Sequence, residues 1–276
     1  METLADVVLR SNSPEKFFDK EFEMEKINRR SALMAAGAAL AGVVAGTASE
    51  SEAAFGRRRA VAEQPCEGQP TQGQPTAAGL KFNNEDFYTD GKFNEDKAKD
   101  AIIALCRYFN YPVFPDLKER LWVSDYGTGK YTELGLACIG IVNNDKDDLG
   151  QTFMMQDLYL LPGQMLPEHW HIKGDGIAVK NEGWFIRHGK SFIVGIGEDN
   201  LPEEIKIPEC HMGGKVEVKH GKWVNAGEYV QLAKIETKHW QMAGPEGCIL
   251  TEVANLHTNS AVRHNDPGIN DHFLNN

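Results

Sequence analysis

The chain has 276 residues, a length that holds one large domain or two small ones and is ample for a buried core. With 41% hydrophobic and 25% charged residues, it has the make-up of a globular protein rather than a fibrous or low-complexity one. Its formal net charge of −11, with no long Lys/Arg run in the second half, argues against a nucleic-acid partner, whose phosphates must be neutralised by cations.

The N-terminal residues 1–54 read as a leader. The stretch "EKINRRSALMAAGAALAGVVAGTASESEAAFG" joins the pair Arg29-Arg30 to an apolar run from Ala32 to Ala45 and to small residues about Ala48 and Ala53. It resembles a twin-arginine export signal, whose apolar run is too short and too glycine-rich for a stable membrane helix. That implies export to a bacterial periplasm; an alanine-rich soluble helix is the alternative. Met24 lies just before the arginine pair and is an alternative start to Met1. Residues 55–78, rich in Pro, Gln and Gly, read as a disordered linker, which leaves residues 79–276 as one domain.

Five cysteines, Cys66, Cys106, Cys138, Cys210 and Cys248, are an odd number without a CxxC pair, so neither a disulfide framework nor a zinc ribbon is implied. Cys106, Cys138 and Cys248 sit in apolar runs and read as small hydrophobes.

Within the domain, Ala98, Ile102, Leu105 and Phe109 recur at helical spacing, with acids near the start, and predict a helix over about Asn94 to Phe109 that Pro112 and Pro115 end. Short apolar or alternating runs then follow: "LGLACIGIVNN", "FMMQDLYLLPG", "GWFIRHGKSFIVGIG", "GKVEVKHGKWVNAG", "YVQLAKIETKH" and "GCILTEVAN". Gly, Pro and Asn punctuate them, which predicts an antiparallel β-sandwich or barrel with the helix packed outside.

Two residues apart on a strand, His169 and His171 project to the same side. Glu182 and His239 are the best-placed further ligands. Three imidazoles and a carboxylate suit one divalent Mn, Fe, Co, Ni or Zn ion per chain, with positions left open for substrate oxygens. An HxH alone reads more readily as two packed strand residues than as a metal site.

The surrounding spacing resembles the first cupin motif: Gly163, five residues, then His169-Trp170-His171, and Glu182, six residues, then Gly189. Ten residues separate His171 from Glu182, where that motif has only a few, so "IKGDGIAV" reads as an inserted turn. In the second motif His239 is kept, but Glu236-Thr237 replaces the usual Pro-Gly.

A more specific resemblance is to the D-lyxose isomerase family of single-domain cupins, in segments that keep their order over most of residues 95–255. "LWVSDYGTGKYTELGLACIGIVNN", "HWH", "KNEGWFIRHGK", "KHW" and "GCILTEVAN" carry it, and place Lys180, Glu182, Arg187, Gly189, His239 and Glu252 on matching positions. "RHGK" replaces a glycine run, and "LHTNSAVRHNDP" departs from the family at the rim of the site.

The resemblance implies an all-β, double-stranded β-helix (jelly-roll) barrel with a flanking N-terminal helix. It also implies aldose–ketose isomerisation through an enediol, interconverting D-lyxose and D-xylulose or D-mannose and D-fructose, in a homodimer. Manganese held by His169, His171, Glu182 and His239 would polarise the carbonyl. Glu252, or else Lys180, would be the base, with Lys180 also a partner for the enediolate. Arg187 would bind sugar hydroxyls or brace a carboxylate. Solvated strand charges remain the alternative for Lys180 and Arg187, and an outward acid for Glu252. The flanking Trp170, Trp184 and Trp240 read as core or rim packing. His188, His211, His220, His257 and His264 lack paired spacing and read as surface or loop residues. Two other functions compete: a non-catalytic periplasmic sugar-binding cupin, and a metal-dependent cupin dioxygenase.

Overall fold

The computed structural model describes residues 80–144, 151–174 and 178–275. The expected leader and linker lie outside the described residues, as does the centre of the insertion, residues 175–177. Among the described residues, no helix is long and apolar enough to cross a membrane.

A short hairpin of β1 (Tyr88–Thr89) and β2 (Lys92–Phe93) leads into helix α1 (Glu95–Tyr108). The helix begins where Asn94 Oδ1 accepts the amide of Lys97 at 3.1 Å, with Glu95 and Asp96 against the positive end of its dipole. It stops at Asn110, whose φ of 53° is left-handed, ahead of the two prolines. Ala98, Ile102 and Leu105 are all buried, so the predicted apolar stripe is the packed one.

After α2 (Leu117–Arg120) come β3 (Trp122–Ser124), β4 (Leu136–Asn144), β5 (Phe153–Leu160), β6 (Met165–His171), β7 (Glu182–Gly195), β8 (His220–Asn225), β9 (Tyr229–Gln231) and β10 (His239–Ala254). β11 (Val262–His264) and α3 (Pro267–Asn275) close the domain. All pairings between these strands are antiparallel, and their curled sheet is the cupin jelly roll that the sequence predicted.

Two strands join the walls of the barrel. The first part of β10 pairs with β6 and with the end of β7, while the part from Cys248 onward pairs with β5 and the start of β7. Both strands change direction at a glycine. Gly189 and Gly247 have φ of 69° and 84°, and a Cβ on Gly189 would stand 2.1 Å from the carbonyl oxygen of Gly247. Only glycine allows this approach, which is the physical reason for a glycine seven positions after Glu182.

Alternation on β10 sorts the core. Ile249 faces α1, in a cluster with Ile102, Leu105, Ile139 and Tyr159, whereas Cys248 and Leu250 face the barrel interior with Leu158, Trp184 and Ile186. A third cluster, containing Trp240, Phe192 and Met242, lies under the long connection between β7 and β8. Cys106, Cys138, Cys210 and Cys248 are free, and burial pushes the Cys106 and Cys138 thiols up to about 12. They are inert at neutral pH.

Three expectations change in the structure. "GKVEVKHGKWVNAG" is strand only over His220–Asn225, and "YVQLAKIETKH" only over Tyr229–Gln231 and at its last residue, His239, where β10 begins; β10 is longer than "GCILTEVAN" and passes Pro245 where that residue is exposed. His211 and His264 are buried rather than surface residues, and His257 is half-buried against Lys180. Arg187 is on the face of β7 opposite Glu182, Trp184 and Ile186.

Candidate metal and isomerisation site

β6, β7 and β10 carry the site. His239 pairs directly with His169, and His171 lies two residues along the same face of β6, so three imidazoles meet side by side. One nitrogen from each lies within 4.8 Å of the other two. Glu182, the first residue of β7, comes from the part of that strand paired with the end of β10; its Oε1 is 3.0 Å from His171 Nε2 and 3.2 Å from His239 Nε2.

The backbone sets the tautomers. His169 Nδ1 donates to the carbonyl of Pro167 at 2.8 Å, and His239 Nδ1 donates to that of Thr237 at 2.9 Å. Each Nε2 therefore keeps its lone pair for the centre of the group. Burial holds His169 well below the usual histidine range, and pushes His171 down to about 4 against the pull of Glu182. Both are neutral at pH 7.

His171 Nε2, His239 Nε2 and Glu182 Oε1 are buried and, among the described residues, have no hydrogen-bond partner outside their own group. With the His239 proton on Nδ1, His239 Nε2 and Glu182 Oε1 meet as two lone-pair atoms with no proton between them, at a cost of about 1–3 kcal/mol each. A divalent cation relieves this, and the N3O donor set suits a transition metal. The buried histidine trio with Glu182 can hold one.

Beside this group lies a second one. Lys180 Nζ is 2.9 Å from Glu182 Oε2, bonds Glu252 Oε1, and reaches His257 Nδ1 at 3.3 Å. His257 Nε2 donates to Asn259 Oδ1 at 2.8 Å, leaving Nδ1 as the acceptor for Lys180. Gln156 donates to Glu252 Oε2 at 3.2 Å. Burial alone would lower the Lys180 pKa, but Glu182 and Glu252 outweigh it and hold it above the usual range. Burial would raise Glu182, but His171 and Lys180 keep it well below the carboxylate range, whereas burial raises Glu252 despite Lys180. One carboxylate thus stays charged and the other accepts a proton readily, a split that general acid–base chemistry uses.

Of the residues singled out from sequence, His169, His171, Glu182, His239, Lys180 and Glu252 come together. Arg187 does not: it donates through Nε to Thr251 Oγ1 at 2.7 Å, and Thr251 in turn donates to Asp157, which also accepts from Tyr111. That chain runs along the face of the sheet turned away from the histidines. Gln156 and His257 were missed. A lone glutamine within "FMMQDLYLLPG", in register with Glu252, was the available signal for the first.

No family model matches the chain. The D-lyxose/D-mannose isomerase of Thermosediminibacter oceani is 30% identical over 175 residues, which cover 62% of this chain and 90% of the relative. The D-lyxose ketol-isomerase of Cohnella laeviribosi is 27% identical over 173 residues, covering 63% and 91%. Among solved structures, the L-ribose isomerase of Cellulomonas parahominis with L-psicose superposes with a TM-score of 0.50 at 14% identity, covering 65% of this chain and 94% of that one, a likeness of fold. The protein is a sugar isomerase on a cupin barrel. Within that class, the chain belongs to the D-lyxose isomerase family of aldose–ketose isomerases.

Proposed function

We propose that this chain interconverts D-lyxose with D-xylulose, and D-mannose with D-fructose, using one divalent transition metal, manganese foremost. The observation that carries this reading is the Lys180 bridge between Glu182 and Glu252, which joins the cation-binding group to a second buried carboxylate.

His169, His171, His239 and Glu182 would hold the metal, which when bound supplies Lewis-acid polarisation of the sugar carbonyl. Glu252 takes the proton from carbon 2 of the open-chain aldose, giving an enediol, and returns it to carbon 1 to yield the ketose. A second proton moves between the oxygens on the same two carbons, so the sugar's composition is unchanged. Lys180 stabilises negative charge as it develops, in a region from which water is largely excluded. Gln156 holds Glu252 by one oxygen and leaves the other with Lys180.

A panel of pentoses and hexoses incubated with the manganese-loaded protein tests this. Ketose formed from D-lyxose or D-mannose is the expected result, and no product from either sinks the substrate assignment. Export by the twin-arginine pair and a homodimeric state belong to the same reading; a retained Met1 on the mature protein and a monomer in solution would overturn them in turn.

A further inference from the structure

Three residues outside the groups described above present polar atoms in the barrel interior with nothing to bond. His264 Nδ1 and Nε2, Gln241 Oε1 and Nε2, and Trp184 Nε1 are all shielded from water and, among the described residues, lack hydrogen-bond partners. All three side chains are at least nine-tenths buried. Native interiors seldom leave polar atoms unsatisfied, and several close together indicate a ligand.

Their positions put them around the histidine trio. The Trp184 ring lies 5.6 Å from that of His239, and the His264 ring 5.7 Å from that of His169, centroid to centroid. β11 pairs with β6 so that His264 stands opposite His169. Gln241 follows His239 by two residues on β10, in register with Ile193, which packs with Trp184 in the interior cluster. Tyr126 and Phe273 hold the His264 ring edge-on at 5.3 and 5.0 Å, so its orientation is set by packing.

The geometry points to a hydroxyl-binding subsite formed by Trp184, Gln241 and His264, which recognises the part of a neutral, unphosphorylated sugar remote from the reacting carbons. A neutral imidazole, an amide and an indole offer both donors and acceptors. Hydroxyls, which donate and accept, match that mixture; phosphate and carboxylate, which only accept at neutral pH, do not. None of the three residues carries a positive charge, and the nearby Lys180 is already held by two glutamates. This inference rests on the isomerase reading and adds the side of the sugar that the metal and Glu252 do not contact.

The test uses metal-loaded protein and the variants Gln241→Met, His264→Phe and the double variant, with Trp184→Phe as a further single change. Three readouts are taken: KM and kcat for the best aldose, the Kd of a non-reacting pentitol by calorimetry, and metal content. The expected result is a KM and a pentitol Kd each raised at least tenfold, with kcat within threefold and metal content unchanged. A foldable double variant, or either single variant if the double does not fold, with KM and Kd within twofold of wild type overturns the subsite. Equal or better turnover of a phosphorylated sugar also overturns it. Wild-type protein that neither binds the pentitol nor converts any aldose removes the isomerase reading and this inference with it, whereas wild-type turnover with unaltered variants removes this inference alone.

Discussion

His171 Nε2 lies 3.0 Å from Glu182 Oε1, although ten residues separate the two in the chain. β6 ends at the histidine and β7 begins at the glutamate, so the inserted segment is a connection whose two ends must meet. Its length leaves their distance unaltered, because β10 pairs with both strands and holds them in register.

Metal content is the most direct consequence. Purified protein should carry close to one divalent transition metal per chain, and His171→Ala should lose it while keeping a native circular dichroism spectrum. Chelation should lower the melting temperature, since ligand at a thousandfold over its Kd stabilises by about 4 kcal/mol. Unchanged metal in His171→Ala would remove the site.

Glu252→Gln should keep both the metal and the fold. Replacing a positioned acid–base group removes about 10²–10⁴-fold in rate, and kcat should fall in that range with a small change in KM. Wild-type kcat in this variant, measured on the best aldose, would move the base elsewhere.

Arg187→Ala should leave KM for the sugar within about twofold, because its guanidinium bonds Thr251 on the far face of the sheet. The cost should fall on stability, at about 1 kcal/mol for a lost hydrogen bond. A tenfold rise in KM at unchanged stability would place Arg187 in the site after all.

Acid should destabilise the metal-free protein. His171 and His264 are buried and pushed down to about 4 and about 3, below the value of about 6.5 they have in an unfolded chain. The unfolded state therefore takes up protons first, so the stability of their neutral forms is complete above about pH 6.5 and declines as pH falls toward 4 and 3. Each contributes a slope of about 1.4 kcal/mol per pH unit in that window. Urea denaturation in the presence of chelator at pH 7.5, 5.5 and 4.5 measures it; a flat profile would show that these rings are not buried as neutral groups.

Gly189→Ala should be among the most damaging substitutions in the barrel. The added Cβ meets the Gly247 carbonyl and the backbone is left-handed there. A loss above about 3 kcal/mol is expected from combined clash and strain, read by denaturation or, in the extreme, by insolubility. A loss below about 1 kcal/mol would mean that the crossing of β7 and β10 is adaptable.

Much of this was legible in one dimension because it is local. The helical stripe of Ala98, Ile102 and Leu105 and the shared face of His169 and His171 follow from periods of 3.6 and 2 residues, which depend only on backbone geometry. The inward position of Glu252 follows from the same alternation, with Val253 turned outward. Alternation alone does not say which face of a strand is the interior when both are covered. On β7 the face of Phe185 and Arg187 is the more open one, with Phe185 half-buried and Arg187 exposed, so Arg187 lies away from Glu182 and Trp184 although it stands on a position that resembles the family's motif.

Sequence by itself determined the class of fold, the histidine pair, and the order of segments that marks the sugar isomerases, since each is written in neighbouring residues. Only the tertiary structure decided which distant groups share a site. The register of β10 against β6 and β5 brings His239 to His169 and Gln156 to Glu252, and the short pairing of β11 with β6 carries His264 into the interior. Those contacts join residues far apart in the chain, and the free energy that selects them comes from burying the whole barrel rather than from any local stretch.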